Sequence, residues 1–223
     1  MFKKYLGYLP ESMLNYRKKL YACFDIETIE DRYDIDNDNE DSTKKMAELN
    51  ALSIAVGTNI EGAKSEYFVR KSSNPHDGQE MIEKFMQYLL DLQCRYKDTV
   101  PLEFSSALDA VIFEQKIAFS ENNKFLISRL TQFREHLSSY LKLTVFGYNS
   151  SKFDLPVLIG GIVKFANERN LNVKPLKVGC RYMSLVVGSI VFRDVLNYTS
   201  PCSLDKFLKQ WGATLHKSIF PHR

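Results

Sequence analysis

The sequence predicts an α/β protein built around one mixed sheet flanked by helices. Three observations carry this prediction: short apolar segments of strand length, segments in which apolar residues recur at helical spacing, and an alternation of the two kinds along the chain. Of the 223 residues, 44% are hydrophobic and 26% are charged, the balance of a globular protein rather than a disordered one. A chain of this length can form one sizeable core.

The first part of the chain predicts three strands. Residues 21–27 form a short apolar segment that ends in carboxylates, as a buried central strand would. Residues 52–58 and 65–70 also have the composition of strands, with a turn between them. The acidic stretch at residues 29–45 contains few apolar residues and predicts a mobile surface loop.

The middle of the chain predicts two helices. From Asp77 onwards the spacing becomes helical, and one face carries Met81, Ile82, Phe85, Met86, Leu89 and Leu90. A second helix has Leu126, Leu130, Phe133, Leu137 and Leu141 on one face. Residues 98–124, between these two faces, show no clear periodicity and receive no assignment.

The last part of the chain returns to strands. Residues 143–148 predict a buried strand and residues 155–169 a helix. Residues 178–198 predict a hairpin that turns at Gly188 and Ser189. The predicted order is therefore three strands, helices, a strand, a helix and further strands.

Composition excludes several classes of protein. The net charge is only +3, so the chain as a whole has no basic field that would indicate nucleic-acid binding. Its four cysteines show no C-x-x-C spacing and favour buried free thiols over a zinc site. The N-terminal residues do not resemble a signal peptide, and no apolar run has the length of a membrane span. These features predict an intracellular protein without a membrane partner.

Asp25 and Glu27 are the first candidate functional residues. They stand two positions apart at the end of an apolar strand, so their side chains project from the same face. Two carboxylates that close together repel each other, and either a bound divalent cation or exposure to water relieves the repulsion. The pair alone leaves a metal site and a solvated strand end both open.

Asp154 is the second candidate, at the end of the segment YNSSKFD (148–154). It follows a predicted strand and precedes a helix with Pro156 in its first turn, so a helix N-cap is one interpretation. If the two strands are neighbours, Asp154 faces the same point as Asp25 and Glu27. Three carboxylates there could hold two divalent cations, Mg²⁺ or Mn²⁺, an arrangement that cleaves phosphodiesters.

Two motifs resemble those of the DEDD (DnaQ-like) superfamily of 3′–5′ exonucleases. F-D-I-E-T (24–28) resembles the first motif, D-x-E-T, and N-S-S-K-F-D (149–154) resembles the second in its family B DNA polymerase form. Residues 182–212, followed by F-P-H (220–222), are similar to a stretch of protein-primed family B polymerases from DNA transposons and linear plasmids. The resemblance implies a ribonuclease H-like fold and metal-dependent 3′–5′ hydrolysis of DNA.

The resemblance also implies a role for each matching residue. Asp25 would ligate both metal ions, Glu27 would bind one and orient the attacking water, and Asp154 would hold the second. The 3′ end of single-stranded DNA would be contacted by four further residues, Thr28, Asn149, Phe153 and Leu196. An aromatic ring suits that role because bases stack on it irrespective of sequence. A core anchor for the helix is the other interpretation of Phe153.

Three departures from the family pattern bear on the expected function. Val195 precedes Leu196 where the family has Ser or Thr, and the third motif, Y-x-x-x-D or H-x-x-x-D, is missing. Polymerase motifs are also missing. We therefore interpret residues 1–20 as an N-terminal extension and residues 21–223 as an exonuclease domain that ends before the third motif. The expected enzyme is the proofreading part of a family B DNA-directed DNA polymerase.

Two alternatives remain open. One is a free-standing DEDD exonuclease, and the other is a module that binds single strands but has lost catalysis. For the full-length protein, the resemblance implies a polymerase domain and a protein primer as partners. It also implies a nuclear location if the gene belongs to a eukaryotic transposon.

Overall fold

A computed structural model describes residues 16, 18–35, 44–72, 74–210 and 212 of the chain. The strands are, in chain order, β1 (Ala22–Ile35), β2 (Lys44–Thr58), β3 (Glu66–Val69), β4 (Leu143–Gly147), β5 (Val173–Val178), β6 (Arg181–Val187) and β7 (Ile190–Asp194). They form one seven-stranded sheet in the order β3-β2-β1-β4-β7-β6-β5. β1 pairs with β4 and β4 with β7 in parallel, and the other neighbours are antiparallel.

Five helices flank this sheet in the described part of the chain. They are α1 (Pro75–Asp98), α2 (Leu102–Ser120), α3 (Lys124–Tyr140), α4 (Asp154–Glu168) and α5 (Leu204–Gln210), with a 3₁₀ turn at Val195–Asn197. The predicted α/β class with a mixed sheet is confirmed, and the architecture is compatible with a ribonuclease H-like fold. No helix among the described residues is both long enough and apolar enough to cross a membrane.

The core lies between one face of the sheet and the helices α1 and α4, and it extends to buried residues of α2 and α3. Phe24 of β1, Phe85 of α1 and Phe192 of β7 are buried, with ring centroids 5.7, 6.0 and 6.3 Å apart. Burial of each such side chain contributes about 1.5–3 kcal/mol. The cluster therefore holds β1 and β7, the two neighbours of β4, against a single helix.

The predicted hairpin is confirmed, with a two-residue connection between paired Val187 and Ile190. Gly188 has a φ of +56°, a conformation that glycine adopts without a steric penalty. β5 was not predicted, because it is an edge strand whose residues are mostly exposed and include Pro175.

The mobile surface loop predicted for the acidic stretch at residues 29–45 is wrong for the part of it that the structure describes. Residues 29–35 belong to β1 and residues 44–45 to β2, and these segments pair in an antiparallel ribbon from Ile29↔Asn50 to Ile35↔Lys44. Residues 36–43 lie outside the described residues. The two segments are joined by backbone pairing, which does not require the apolar alternation of a half-buried strand.

Helix α2 lies within the stretch that received no assignment. Its apolar residues are spread around the helix: Phe104 and Val111 are buried, whereas Leu102, Phe113 and Phe119 are exposed. A helix with apolar residues on all sides has no single apolar stripe for a periodicity search to find.

The cysteines also differ from prediction. Cys23, Cys94 and Cys180 are exposed free thiols, and Cys202 is half-buried. Cys23 lies on β1 opposite the core-facing Phe24, and strand alternation explains its exposure. Proximity to apolar residues in the sequence did not distinguish the two faces of the sheet.

Two adjacent glycines in α4 test how closely this helix packs on α1. A Cβ at Gly161 would come within 2.5 Å of Ile82 Cδ1 and 3.0 Å of Gln79 Oε1, whereas nothing lies within 4 Å of one at Gly160. Gly160→Ala should stabilise the protein by about 0.5–1 kcal/mol through helix propensity. Gly161→Ala should be less stable than Gly160→Ala by about 1–3 kcal/mol, because buried Ile82 must shift. Urea unfolding measures the difference, and equal stabilities would contradict this packing.

Candidate active site

The candidate site forms where two neighbouring parallel strands end. β1 and β4 pair only at Ala22↔Val145 and Cys23↔Phe146, and β4 ends at Gly147. β1 continues far beyond this point, so Asp25 stands just past the end of its neighbour. The condition set by the sequence analysis, that the two motif-bearing strands lie side by side, is met.

The space between the continuing β1 and the turn after β4 is a cavity of about 330 Å³. Five of the seven predicted site residues line it, namely Asp25, Thr28, Asn149, Phe153 and Asp154, together with Ile26, Leu49, Tyr148, Val157 and Leu204. Residues from two distant motifs therefore meet in one place. Clefts at the carboxyl ends of parallel strands are common ligand sites in α/β proteins.

Glu27 is predicted for the site but does not line this cavity. Along β1 the buried residues Phe24 and Ile26 alternate with Asp25 and Glu27, which puts both carboxylates on the side away from the core. Asp25 is exposed and Glu27 is half-buried. The two acidic residues share a face, as predicted, but Asp25 alone of the two reaches the cavity.

Thr28 follows an irregularity in the pairing of β1 with β2. Glu27 pairs with Ser53 of β2, whereas Thr28 pairs with Ala51, so the register shifts between them. Leu52 of β2 has no partner in β1, so the extra residue of this bulge lies on β2. Thr28, the T of the D-x-E-T motif, lines the cavity with Asp25 and Ile26, so residues from both faces of β1 border it.

Asp154 is not the helix cap that was one interpretation of it. Phe153 occupies the N-cap position of α4, and Asp154 is the first helical residue. The side chain of Asp154 is largely buried, with 8% of the residue exposed, and it lines the cavity. A helix N-terminus tolerates a carboxylate well, because the first-turn N–H groups and the helix dipole favour negative charge.

The core-anchor interpretation of Phe153 is wrong. The residue is 58% exposed and lies at the cavity wall. Leu196, by contrast, is half-buried in the 3₁₀ turn and does not line the cavity. Because the ring of Phe153 is exposed beside buried Asp154, it is accessible to a base. Its role in stacking stays a prediction.

Gly147 allows the turn after β4 to approach β1. A Cβ at this position would lie 2.5 Å from Ser150 Cβ and 2.8 Å from Phe24 Cε1. Ser150 and Phe24 are both buried, so neither can move away freely. The glycine that precedes the second motif thus has a packing role that shapes the cavity wall.

The sequence did not identify two residues of the site, Tyr148 and Asp194, as functional. Tyr148 lines the cavity, its hydroxyl donates a hydrogen bond to the Cys202 carbonyl oxygen, and its ring packs on Phe207 with centroids 5.5 Å apart. Desolvation, together with nearby Cys202 and Asp194, raises the pKa of Tyr148 to about 12, so the hydroxyl remains a donor at neutral pH. The sequence signal that could have identified Tyr148 is its position at the start of the segment YNSSKFD.

Asp194 lies in the segment predicted as a hairpin, residues 178–198, and it is the last residue of β7. Its carboxylate is buried and accepts hydrogen bonds at 2.9 Å from the backbone N–H groups of Asn149, Ser151 and Leu196. No periodicity or motif in the sequence indicates such a contact across 43–45 positions.

A larger apolar groove of about 830 Å³ adjoins the cavity on the sheet face away from α1. Asp25, Tyr148 and Leu204 line both spaces. The remaining lining includes Cys23, Phe146 and Arg193, with Tyr198, Phe207 and Leu208 towards α5. The predicted site is therefore at one end of a continuous depression rather than in an isolated pocket.

The donor atoms of the cavity fit a hard divalent cation in kind. Asp25 and Asp154 contribute carboxylates, and Asn149 and Thr28 contribute further side-chain oxygens. In the described part of the chain, no three His, Cys, Asp or Glu side chains are grouped closely enough to form a ready metal site. The structure thus brings two of the three predicted carboxylates to one cavity.

Comparison of the chain with models of protein families, with curated proteins and with solved structures finds no match.

The close approach at Gly147 generates a testable prediction. Gly147→Ala should destabilise the protein by about 1–3 kcal/mol, because the added methyl group overlaps Ser150 and Phe24. Gly57→Ala is the matched control, since a Cβ there meets only Cys23 Sγ at 4.0 Å. Denaturant unfolding of both variants measures the effect. A Gly147→Ala protein as stable as Gly57→Ala would show that the turn does not pack as described.

Proposed function

We propose that this chain is the 3′–5′ exonuclease region of a family B DNA polymerase of the protein-primed type, which hydrolyses single-stranded DNA with divalent cations. One observation supports this proposal above the others: Asp25 and Asp154, from two motifs far apart in the sequence, line the same cavity at the ends of adjacent parallel strands. Thr28, Asn149 and Phe153, the residues expected to bind the strand, line it as well.

Each side chain has a part in the proposed reaction. Asp25 and Asp154 would hold Mg²⁺ or Mn²⁺, and Glu27, on the same side of β1 as Asp25, would orient the attacking water. When bound, two such cations activate a water and stabilise the leaving oxygen in an in-line displacement. Asp154 is buried, so it presents its carboxylate from the wall of the cavity, whereas exposed Asp25 presents its carboxylate from the open side. The two carboxylates therefore differ in hydration.

Strand binding would rest on the turn between β4 and α4. Phe153 offers an exposed ring on which a terminal base can stack, and Asn149 offers an amide at the same wall. Stacking on an aromatic ring does not read the identity of a base, which suits an enzyme that removes any nucleotide. For the full-length protein the proposal includes a polymerase domain, a protein primer and an intracellular location.

A module that binds single strands without cleaving them is the second candidate. It is favoured by the grouping of only two of the predicted carboxylates at the cavity. The two candidates share the strand contacts and differ in cation-dependent cleavage. Their separation therefore requires a cleavage assay beside a binding assay.

Removal of either cavity carboxylate should abolish cleavage. Asp25→Ala and Asp154→Ala are expected to lose Mn²⁺-dependent shortening of a 5′-labelled oligonucleotide from its 3′ end, because each removes a cation ligand. The products of the wild-type protein and both variants are resolved on a sequencing gel.

Asp91→Ala, which removes an exposed carboxylate on α1, is the matched control and should cleave like the wild type. Cleavage that survives in both Asp25→Ala and Asp154→Ala would refute the proposed site. A wild-type protein that binds the oligonucleotide but never shortens it would establish the binding module instead.

Phe153→Ala should weaken binding of oligo-dT without a large loss of stability. Loss of one stacked base should cost about 1–3 kcal/mol in affinity, whereas removal of a largely exposed ring should change stability by about 0.5 kcal/mol or less. Fluorescence anisotropy gives the affinity, and thermal unfolding gives the stability. Phe113→Ala removes a similarly exposed ring on α2 and should leave binding unchanged. Equal binding by both variants would exclude Phe153 from the strand site.

A further inference from the structure

Asp194 is one of the most deeply buried carboxylates in the described part of the chain, with 1% of the residue exposed. Its Oδ1 accepts from the N–H groups of Asn149 and Leu196, and its Oδ2 accepts from that of Ser151, each at 2.9 Å. Hydrogen bonds to an ionised acceptor are shorter and stronger than neutral ones. Both oxygens of this side chain therefore accept hydrogen bonds from backbone N–H groups.

The position of Asp194 explains why it can reach these groups. Gly147 and Asp194 are paired at the last rung between β4 and β7, so the carboxylate lies beside the point where the chain leaves β4. It connects the turn that carries Asn149 with the 3₁₀ turn that carries Leu196. These are two of the segments expected to contact the DNA strand.

We propose that Asp194 is a positioning residue, which acts through Asn149 by holding the turn after β4 in the form that presents Asn149 to the cavity. The inference rests on the proposed function, because it assigns Asn149 to strand binding. It adds a residue outside the two motifs, on a strand that does not itself line the cavity.

The conformation of the turn shows what the carboxylate has to maintain. Asn149 has a φ of +58°, in the left-handed region that few side chains other than Asn adopt readily. The next two residues, Ser150 and Ser151, are buried, so the base of the turn is enclosed in the protein. Without the carboxylate, the N–H groups of Asn149 and Ser151 would lose the acceptor that Asp194 provides there.

Asp194→Asn is the sharpest test, because it keeps the size and shape of the side chain. An amide has one acceptor oxygen, so its NH₂ group must face at least one of the three backbone N–H donors. The affinity for fluorescent oligo-dT is measured by anisotropy in EDTA, well below the melting temperature, for Asp194→Asn, Asn149→Ala and the double variant. Asp91→Asn, on the surface of α1, is the matched control.

If Asp194 acts through Asn149, Asp194→Asn should bind roughly tenfold more weakly, the effect of losing about one hydrogen bond between Asn149 and the strand. The double variant should then bind no more weakly than the weaker single variant, because both changes remove the same contact. Asp91→Asn should bind like the wild type. Normal affinity in folded Asp194→Asn, or losses that add in the double variant, would overturn the inference and leave the proposed function standing.

Failure of the wild-type protein to bind oligo-dT would instead overturn the proposed function, and the inference with it. A second measurement applies even if Asp194→Asn does not fold. In the wild-type protein, amide hydrogen exchange at Asn149 and Ser151 should be as slow as in β4, because their N–H groups are bonded to a buried carboxylate. Fast exchange at both positions would overturn the inference independently of any variant.

Discussion

The parallel pairing of β1 with β4 is the constraint on which the candidate site depends. The pairing covers two residue pairs, and β4 then ends while β1 runs on. This difference in length opens the cavity and places Asp25 opposite the turn that leads to Asp154. Everything that fixes the relative position of the two strands therefore acts on the site, including the aromatic cluster beneath them and the close contact at Gly147.

A second layer of structure shapes the turn itself. The backbone after β4 changes direction within a few residues and buries Ser150 and Ser151 on the way. Buried N–H groups require acceptors, and Asp194 supplies them from the neighbouring strand. Strand order in the sheet thus determines where the cavity lies, and one buried carboxylate holds the turn at its wall. Tyr148 extends this arrangement towards α5 through its contacts with Cys202 and Phe207.

The sequence predicted most of the elements because their apolar patterns follow directly from burial on one face. The face of α1, the strand at 143–147 and the hairpin at Gly188 are examples. It missed α2, whose apolar residues surround the helix, and the acidic ribbon, which is held by backbone pairing. At the site, it identified Asp25, Asn149 and Asp154, which the structure brings together. It could not reveal that Glu27 and Leu196 stay outside the cavity or that Asp194 accepts hydrogen bonds from the turn after β4, because these features depend on contacts between segments far apart in the sequence, which leave no local pattern.

The central claim is that Asp25 and Asp154 together form a site for a divalent cation. Paramagnetic broadening of amide NMR signals by Mn²⁺ tests it most directly, because the effect reports where the ion binds without requiring catalysis. We expect the signals of residues 25–28 and 149–155 to broaden at the lowest Mn²⁺ concentration, and Asp154→Ala to remove this effect. Broadening confined to the acidic ribbon of β1 and β2, or unchanged by Asp154→Ala, would contradict the claim.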